Sequence, residues 1–440
     1  MKIPETPPSL RDLLAKQDFE RMPELFAGVA QDLNRYLHWD ELKYRKAPND
    51  WSRETWWLAL KLKRINSQKH LAVLKDKQGK PFAYGLPDVL LELIHRIDRE
   101  GGTMLGVSTQ VTNAAERDRY LVRSLMEEAI SSSQLEGAAT TREAAKRMLA
   151  DGRPPRDKSE RMILNNFLTM KRIIEWKDHK LTPELLLEIH RQLSEDALDV
   201  PDGAGRFRRD DESIDVSDME GTVFHIPPPA SELDGRIAAM CAFANGETPA
   251  DFMHPVVRGI ILHFWLAYDH PFADGNGRTA RALFYWQMLR QGYWLFEFVS
   301  ISQFLRKSPT KYGLAFLHTE TDGNDLTYFI IHQVEVIRQS LAELHDYVAK
   351  KSEEVAACTH LLHQFSGLNH RQLAILAHAI KNPGYPYSVG GHQMSHNTAY
   401  DTARNDLLSL ADLGLLEHRK VGKAHSFIAP KNLRERLAKT

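Results

Sequence analysis

Apolar residues recur three and four apart along most of this chain and alternate only in two short stretches. The sharpest helical run is 254–268, where Val257, Ile260, Ile261, Phe264, Trp265 and Tyr268 share one face. Pro255 suits its first turn, and Pro271 stops it just after His270. A second helix is predicted from Gly277 to Gln291, with Ala280, Leu283, Phe284, Trp286 and Leu289 inward and Gly292 as its C-terminal cap. Val334–Val348, Asn369–Ile380 and Thr398–Leu413 give further helices, the last with Ala399, Ala403, Leu407, Leu410 and Leu413 spaced for a core. The β signals are Ser213–Val216 with Thr222–Ile226, ended by Pro227-Pro228-Pro229, and His418–Ile428 turning near Gly422. Residues 1 to about 110 read as helical, with Trp39, Trp51, Trp56 and Trp57 expected to pack inside. The pattern predicts a mostly α protein with small hairpins.

Chemistry concentrates between the first two helices, in His270-Pro-Phe-Ala-Asp274-Gly275-Asn276-Gly277-Arg278-Thr-Ala-Arg281. A helix start offers free N–H groups and partial positive charge, and glycine lets backbone approach phosphate closely. Arg278 and Arg281 are three apart on one face, and each can fork two hydrogen bonds onto phosphate. Asp274 is a hard oxygen ligand suited to a Mg²⁺ that keeps its waters and bridges phosphates. His270 is the group able to take a proton near neutral pH, although a helix C-terminus favours its charged form. Taken singly, Asp-Gly-Asn-Gly is most often a turn and a helix-terminal histidine a solvated residue. Their order and density favour a site that moves a phosphate-containing group.

The twelve residues resemble the signature of the Fic family, His-Pro-Phe-x-(Asp/Glu)-Gly-Asn-(Gly/Lys)-Arg-x-x-Arg, at every fixed position. The resemblance implies a helical Fic core that transfers AMP from ATP to a Ser, Thr or Tyr hydroxyl of a protein. It implies His270 as catalytic base and Asp274 as the Mg²⁺ ligand. Gly275, Asn276 and Gly277 become the anion hole, with Arg278 and Arg281 on the outer phosphates. Gly277 places the chain on the AMP-transfer side, because the Doc subgroup carries Lys there and transfers phosphate. No Gly-x-x-x-x-Gly-Lys-(Ser/Thr) loop occurs, so a P-loop ATPase is excluded.

Upstream, Glu127-Glu128-Ala-Ile-Ser-Ser132-Ser-Gln-Leu-Glu136-Gly137 resembles the family's inhibitory helix, (Ser/Thr)-x-x-x-Glu-(Gly/Asn). There the glutamate pairs with the second signature arginine, here Arg281; carboxylate and phosphate compete for one guanidinium fork. Gly205-Arg206-Phe207-Arg208 and the following hairpin resemble the flap that docks a target backbone by strand addition. Lys311-Tyr312 falls where relatives carry a Tyr-Tyr pair near adenine, but Gly313 stands at the second place. The C-terminal helix, helix, hairpin pattern resembles a winged helix. His396, Asn397, Tyr400 and Arg404 are candidates for a DNA groove, and Arg419, Lys420 and Lys423 for phosphates, with a module for protein contacts weighed evenly against DNA. Cys358, His360 and His363 lack a fourth ligand and read as an ordinary helix rather than a zinc site.

Composition adds bounds. With 57 basic and 58 acidic residues in 440, global charge selects no polyanionic partner. Two cysteines, Cys241 and Cys358, argue against a disulfide framework and for a reducing compartment. No signal-peptide core or membrane-length apolar run is found, so a cytoplasmic protein without membrane association is expected. The predicted division is a helical N-terminal region (1–115), a Fic core with flap and inhibitory helix (116–348) and a winged-helix domain (355–440). Expected partners are ATP, Mg²⁺ and a hydroxyl-bearing protein, which includes the chain itself; DNA and a homodimer are further candidates. The alternative is a winged-helix regulator whose Fic core senses nucleotide, or a de-AMPylating enzyme in which Glu136 acts in reverse.

Overall fold

Two helices that bury nearly every side chain form the axis of this computed structural model, which describes residues 1–16, 36–48, 50–101, 114–199, 202–212, 214–218, 220–362, 367–421, 424–433 and 436–437. The N-terminal region contributes α1 (Leu10–Ala15), α2 (Trp39–Leu42), α3 (Arg53–Ser67), an antiparallel hairpin of β1 (Lys69–Lys75) and β2 (Pro81–Tyr84), and α4 (Asp88–Gly101). Then come α5 (Ala114–Leu135), α6 (Arg142–Asp151), α7 (Lys158–Trp176) and α8 (Pro183–Ser194). A two-stranded flap of β3 (Val216–Ser217) and β4 (Val223–His225) precedes α9 (Leu233–Ala244). The axis itself is α10 (Pro255–Asp269) and α11 (Asn276–Arg290), followed by α12 (Ile301–Lys307), α13 (Pro309–Thr321) and α14 (Thr327–Leu362). The chain ends with α15 (His370–Lys381), β5 (Pro386–Ser388), α16 (Val389–His396), α17 (Tyr400–Asp412), β6 (Glu417–Val421) and β7 (Ala424–Ile428).

Local chemistry sets these boundaries. Ser52, Thr141, Asp157 and Thr182 each accept a backbone N–H from the first turn of α3, α6, α7 and α8. Asn369 and Gln372 form a reciprocal capping box at α15. Phe264, Trp265, Phe284 and Trp286 are at most 1% exposed, each buried aromatic contributing about 1.5–3 kcal/mol. Because α10 and α11 are packed by α7, α8, α9, α14 and α5, the short loop joining them is anchored at both ends.

Three differences from the pattern reading have physical causes. The N-terminal region is not wholly helical: Leu71 and Leu74 are three apart, but they belong to β1. The turn after it is set by Asp76, whose Oδ1 accepts the N–H groups of Gln78 and Lys80. The helix expected to close at Val348 runs on to Leu362, its backbone helical through the charged 350–354 stretch. The C-terminal region has a third strand and a third helix, β5 and α16, between the two helices anticipated, with strand order β5-β7-β6. It owns a separate core of Ile375, Leu376, Leu407, Leu410 and Phe427. His396 is buried there, edge-on to His392, so it is not a groove-facing residue; Tyr400 and Arg404 are exposed. Ser213, His363, Gly422 and Lys423 lie outside the described residues, as do the side chains of Cys358 and His360.

The C-terminal region is seated on the core through α16, which packs on α5 and α6 and lays Met394 against the central cluster. Trp39, Trp56 and Trp57 are buried in a third cluster of the N-terminal region, and Trp51 is half-buried beside them. Among the described residues no helix is long and apolar enough to cross a membrane.

Candidate active site

His270 caps α10 in a left-handed conformation, φ 47°, which turns the chain sharply out of the helix. Its Nδ1 lies 3.1 Å from the carbonyl oxygen of Ala267. A carbonyl only accepts, so Nδ1 carries the proton and Nε2 keeps a lone pair. Burial pushes the imidazole down to about 4, with His225 and Arg208 adding to the shift against the opposing Ala267 bond and Glu136. Desolvation therefore outweighs the helix-end effect that the sequence pattern sets against a base role.

The loop is braced by residues the motif does not contain. Arg208 donates from Nε to the His270 carbonyl at 2.8 Å, and its backbone N–H donates to that of Pro271 at 2.8 Å. His190 on α8 accepts the Gly205 N–H at Nδ1, and its Nε2 donates to the Asp274 carbonyl at 2.9 Å. Its ring stacks on Phe272 with centroids 3.7 Å apart. His225 on β4 joins Glu320 (2.8 Å) to the Tyr268 carbonyl (2.7 Å), tying the flap to the end of α10. Sequence reasoning missed His190 and His225. His190 sits among Leu186, Ile189 and Leu193 at ordinary core spacing, and only the folded contacts single it out.

The other half of the loop is the start of α11. Gly275, φ 83°, adopts a left-handed turn and brings no side-chain cap, so the first N–H groups of α11 have no partner within the helix. The side chain of Asn276 turns back into the loop, where it accepts the Phe272 N–H at 2.9 Å and donates to the Phe272 carbonyl at 2.8 Å. Asn276 therefore offers an anion only its backbone. Arg278 is 1% exposed; NH1 donates to the Leu193 carbonyl at 3.1 Å, while Nε and NH2 have no hydrogen-bond partner. NH2 is 3.7 Å from the Asp274 carboxylate, which is otherwise substantially open to solvent. Buried guanidinium N–H groups without an acceptor are costly, and they suit a site completed by an anion.

Glu136 lies close by, near the charges of both Arg281 and Arg278. Its carboxylate accepts from Arg281 NH2 at 2.9 Å, while Arg281 also donates from Nε to the Ser132 hydroxyl (2.8 Å) and from NH2 to the Ser132 carbonyl (3.0 Å). A Cβ added to Gly277 would stand 2.1 Å from Glu136 Oε1, so the carboxylate rests directly on the glycine backbone. Burial alone would raise this carboxyl, but Arg281 and Arg278 outweigh it and hold the group below the usual range. Gly277→Ala must therefore push the carboxylate, the end of a flexible side chain, off Arg281, and should lower the free energy of unfolding by about 1 kcal/mol or less. In a Glu136→Gly background the same change should have little further effect. Urea denaturation of the four proteins checks this, and additive losses would contradict the contact.

Tyr312 turns inward: its hydroxyl lies 2.8 Å from His263 Nε2, and burial pushes it up to about 12. Gly313 beside it is covered by the Met1 side chain, whose Cε would lie 2.8 Å from an added Cβ. The flap carries exposed Val216, Val223 and Ile226 on an isolated hairpin, an edge open to another strand. The residues of the signature and of the Ser132–Glu136 motif thus lie together, with the side chain of Asn276 turned away.

Residues 180–288 match the sequence model of the Fic/DOC family. Protein adenylyltransferase Fic of Nematostella vectensis is 34% identical over 117 residues, 27% of this chain and 25% of that protein. The protein of the same name from Culex quinquefasciatus is 31% identical over 182 residues, 41% of this chain and 34% of its own length. The chain thus spans between a quarter and about a third of these curated relatives. The crystal structure of a Fic family protein from Desulfovibrio desulfuricans G20 covers 78% of this chain and 96% of its own, at 21% identity and TM-score 0.50, a likeness of fold.

Proposed function

From the premise that this chain carries a Fic/DOC-family domain, we propose that it is a protein adenylyltransferase held in check by its own Glu136. The observation that carries this reading is the seat of that carboxylate, on Gly277 and Arg281, beside the unpartnered N–H groups of buried Arg278. The carboxylate takes a guanidinium hydrogen bond that a phosphate oxygen would also take.

The hydroxyl of a target side chain, laid along the flap, gives its proton to His270 Nε2 as its oxygen attacks the α-phosphorus of ATP. One P–O bond forms, the bond to the β-phosphate breaks, and pyrophosphate leaves. The chain contributes position and charge: backbone N–H groups of Asn276 and Gly277, and the forks of Arg278 and Arg281 on the outer phosphates. Asp274 is the residue to hold Mg²⁺, which when bound would neutralise phosphate charge. Among the described residues no cluster of three or more His, Cys, Asp or Glu forms a metal cage. A single outward carboxylate fits an ion held mainly by phosphates and water.

The test is AMP incorporation from α-labelled ATP with Mg²⁺ into the protein itself and into lysate proteins. ATP binding with no labelling by any variant would favour the competing reading, a nucleotide-sensing core serving its C-terminal region. DNA is the candidate partner of that region: residues 367–440 hold ten Lys and Arg against five Asp and Glu, and Tyr400, Arg404, Arg419 and Lys420 are exposed.

The pH profile offers a separate check. With His270 pushed down to about 4, the neutral base is present above that pH and is lost only as pH falls through it. In the Glu136→Gly enzyme, kcat/KM should be flat in this group's titration from about pH 5.5 to about pH 8. An acid limb centred near 6.5 that vanishes with His270 would contradict the burial argument.

A further inference from the structure

The contact between α5 and α11 is a ladder of three polar rungs, of which Ser132 and Glu136 supply two. On one side stand Glu128, Ser132 and Glu136, each four residues from the next; on the other, Tyr285, Arg281 and Gly277, also four apart. Residues four apart on a helix lie one above another, so the two rows face each other in antiparallel order. Glu136 meets Gly277 and Arg281, and Ser132 meets Arg281. Glu128 meets Tyr285, whose hydroxyl donates to its carboxylate at 2.8 Å.

Glu128 is 2% exposed and is the most heavily bonded residue of the ladder. Besides Tyr285 it accepts from the Ser300 hydroxyl at 2.9 Å, the Ser302 backbone N–H at 3.0 Å and the Ser302 hydroxyl. The Tyr285 hydroxyl in turn accepts the Ile301 N–H at 2.9 Å. One carboxylate thus ties α5 to α11 and to the start of α12. Nothing in the proposed chemistry calls for it: it lies about two helical turns before the end of α5, whose last residue, Leu135, precedes Glu136. A rigid helix pinned in rotation and register at Glu128 presents its far end at one fixed place, and that place is Gly277.

We infer that Glu128 is the positioning residue of the inhibitory latch: it sets the axial register and rotation of α5, so that Glu136 falls on Gly277 and Arg281. This rests on the proposed AMP transfer and its restraint by Glu136. Glu127, next in sequence, serves as the contrast. It faces the other way and pairs with Arg142 and Lys146, holding α5 to α6 without touching the ladder.

The experiment measures AMP incorporation by the full-length chain carrying Glu128→Gln, Tyr285→Phe or Glu127→Gln, each with and without Glu136→Gly. Glu128→Gln keeps the shape but turns an NH₂ towards donors, and Tyr285→Phe removes a rung from the opposite helix. Both should raise labelling about 3- to 10-fold over wild type. Neither should raise it further once Glu136 is glycine, because the latch is already open. A residue that only supported the fold would lower labelling together with Tm. The inference is overturned if folded Glu128→Gln and Tyr285→Phe label no more than wild type, or if Glu127→Gln gains as much. If Glu136→Gly itself labels nothing, the AMP-transfer reading fails first. Hydrogen exchange of the 129–136 amides then decides the latch, and unchanged protection in Glu128→Gln would refute it.

Discussion

Replacing Glu136 by glycine is expected to raise AMP incorporation roughly 10- to 100-fold, the range opened when a blocking interaction worth about 1.4–2.8 kcal/mol is removed. The substitution frees one NH2 hydrogen of Arg281 for phosphate, the other staying on the Ser132 carbonyl, and clears the space above Gly277, where the carboxylate now rests. Because a carboxylate and a phosphate bind one guanidinium fork in mutually exclusive ways, the gain should appear in productive placement of the nucleotide rather than in its occupancy. Tightly bound ATP in wild type would show little labelling, whereas the variant would label at the same occupancy. Nucleotide affinity and incorporation should therefore be measured side by side. A variant that binds and labels no better than wild type would remove Glu136 from regulation, however close its contact with Arg281.

Adding His270→Ala to that open variant is expected to remove labelling by about 10²- to 10⁴-fold, the usual contribution of a general base. Nucleotide binding should be retained, because the phosphate-facing groups belong to α11 and Arg278 rather than to the end of α10. This separation of binding from transfer gives the prediction its force. The left-handed cap at residue 270 is the other concern, since alanine tolerates φ 47° poorly. His270→Asn, more at ease in that conformation, is the control for a collapsed loop. If both variants bind nucleotide and both still label, His270 is not the base. If alanine alone fails to bind, the loop has moved in that variant, and labelling by the nucleotide-binding His270→Asn enzyme decides.

Much of the architecture was legible in the order of residues. The helix boundaries around His270 follow from Pro255, Pro271 and Gly292, because each proline removes a backbone option and the glycine admits a left-handed turn. The motif from His270 to Arg281 names its chemistry through residue type alone, and so does the Ser132 to Glu136 spacing. The β1–β2 hairpin was not legible, since Leu71 and Leu74 satisfy a helical spacing until Phe82 and Tyr84 are seen packed behind them. The helix α16 was hidden in a short Gly-, His- and Ser-containing stretch with no apolar periodicity of its own. It is held by Met394 against a core that lies far away in sequence.

The sequence by itself determined the local units: helices, turns, the glycine that must turn at 275, and the inventory of base, carboxylates and arginines. Those depend on φ preferences, capping and periodicity, which act over a few residues. Only the tertiary structure decided what each group does with its bonds. It turned the Asn276 side chain into the loop and pushed His270 down to about 4 by burial. It left Arg278 with unpartnered N–H groups. It also aligned Glu128, Ser132 and Glu136 with Tyr285, Arg281 and Gly277 across some 150 residues of chain. Desolvation and hydrogen-bond satisfaction are properties of the packed environment, and no window of sequence contains them.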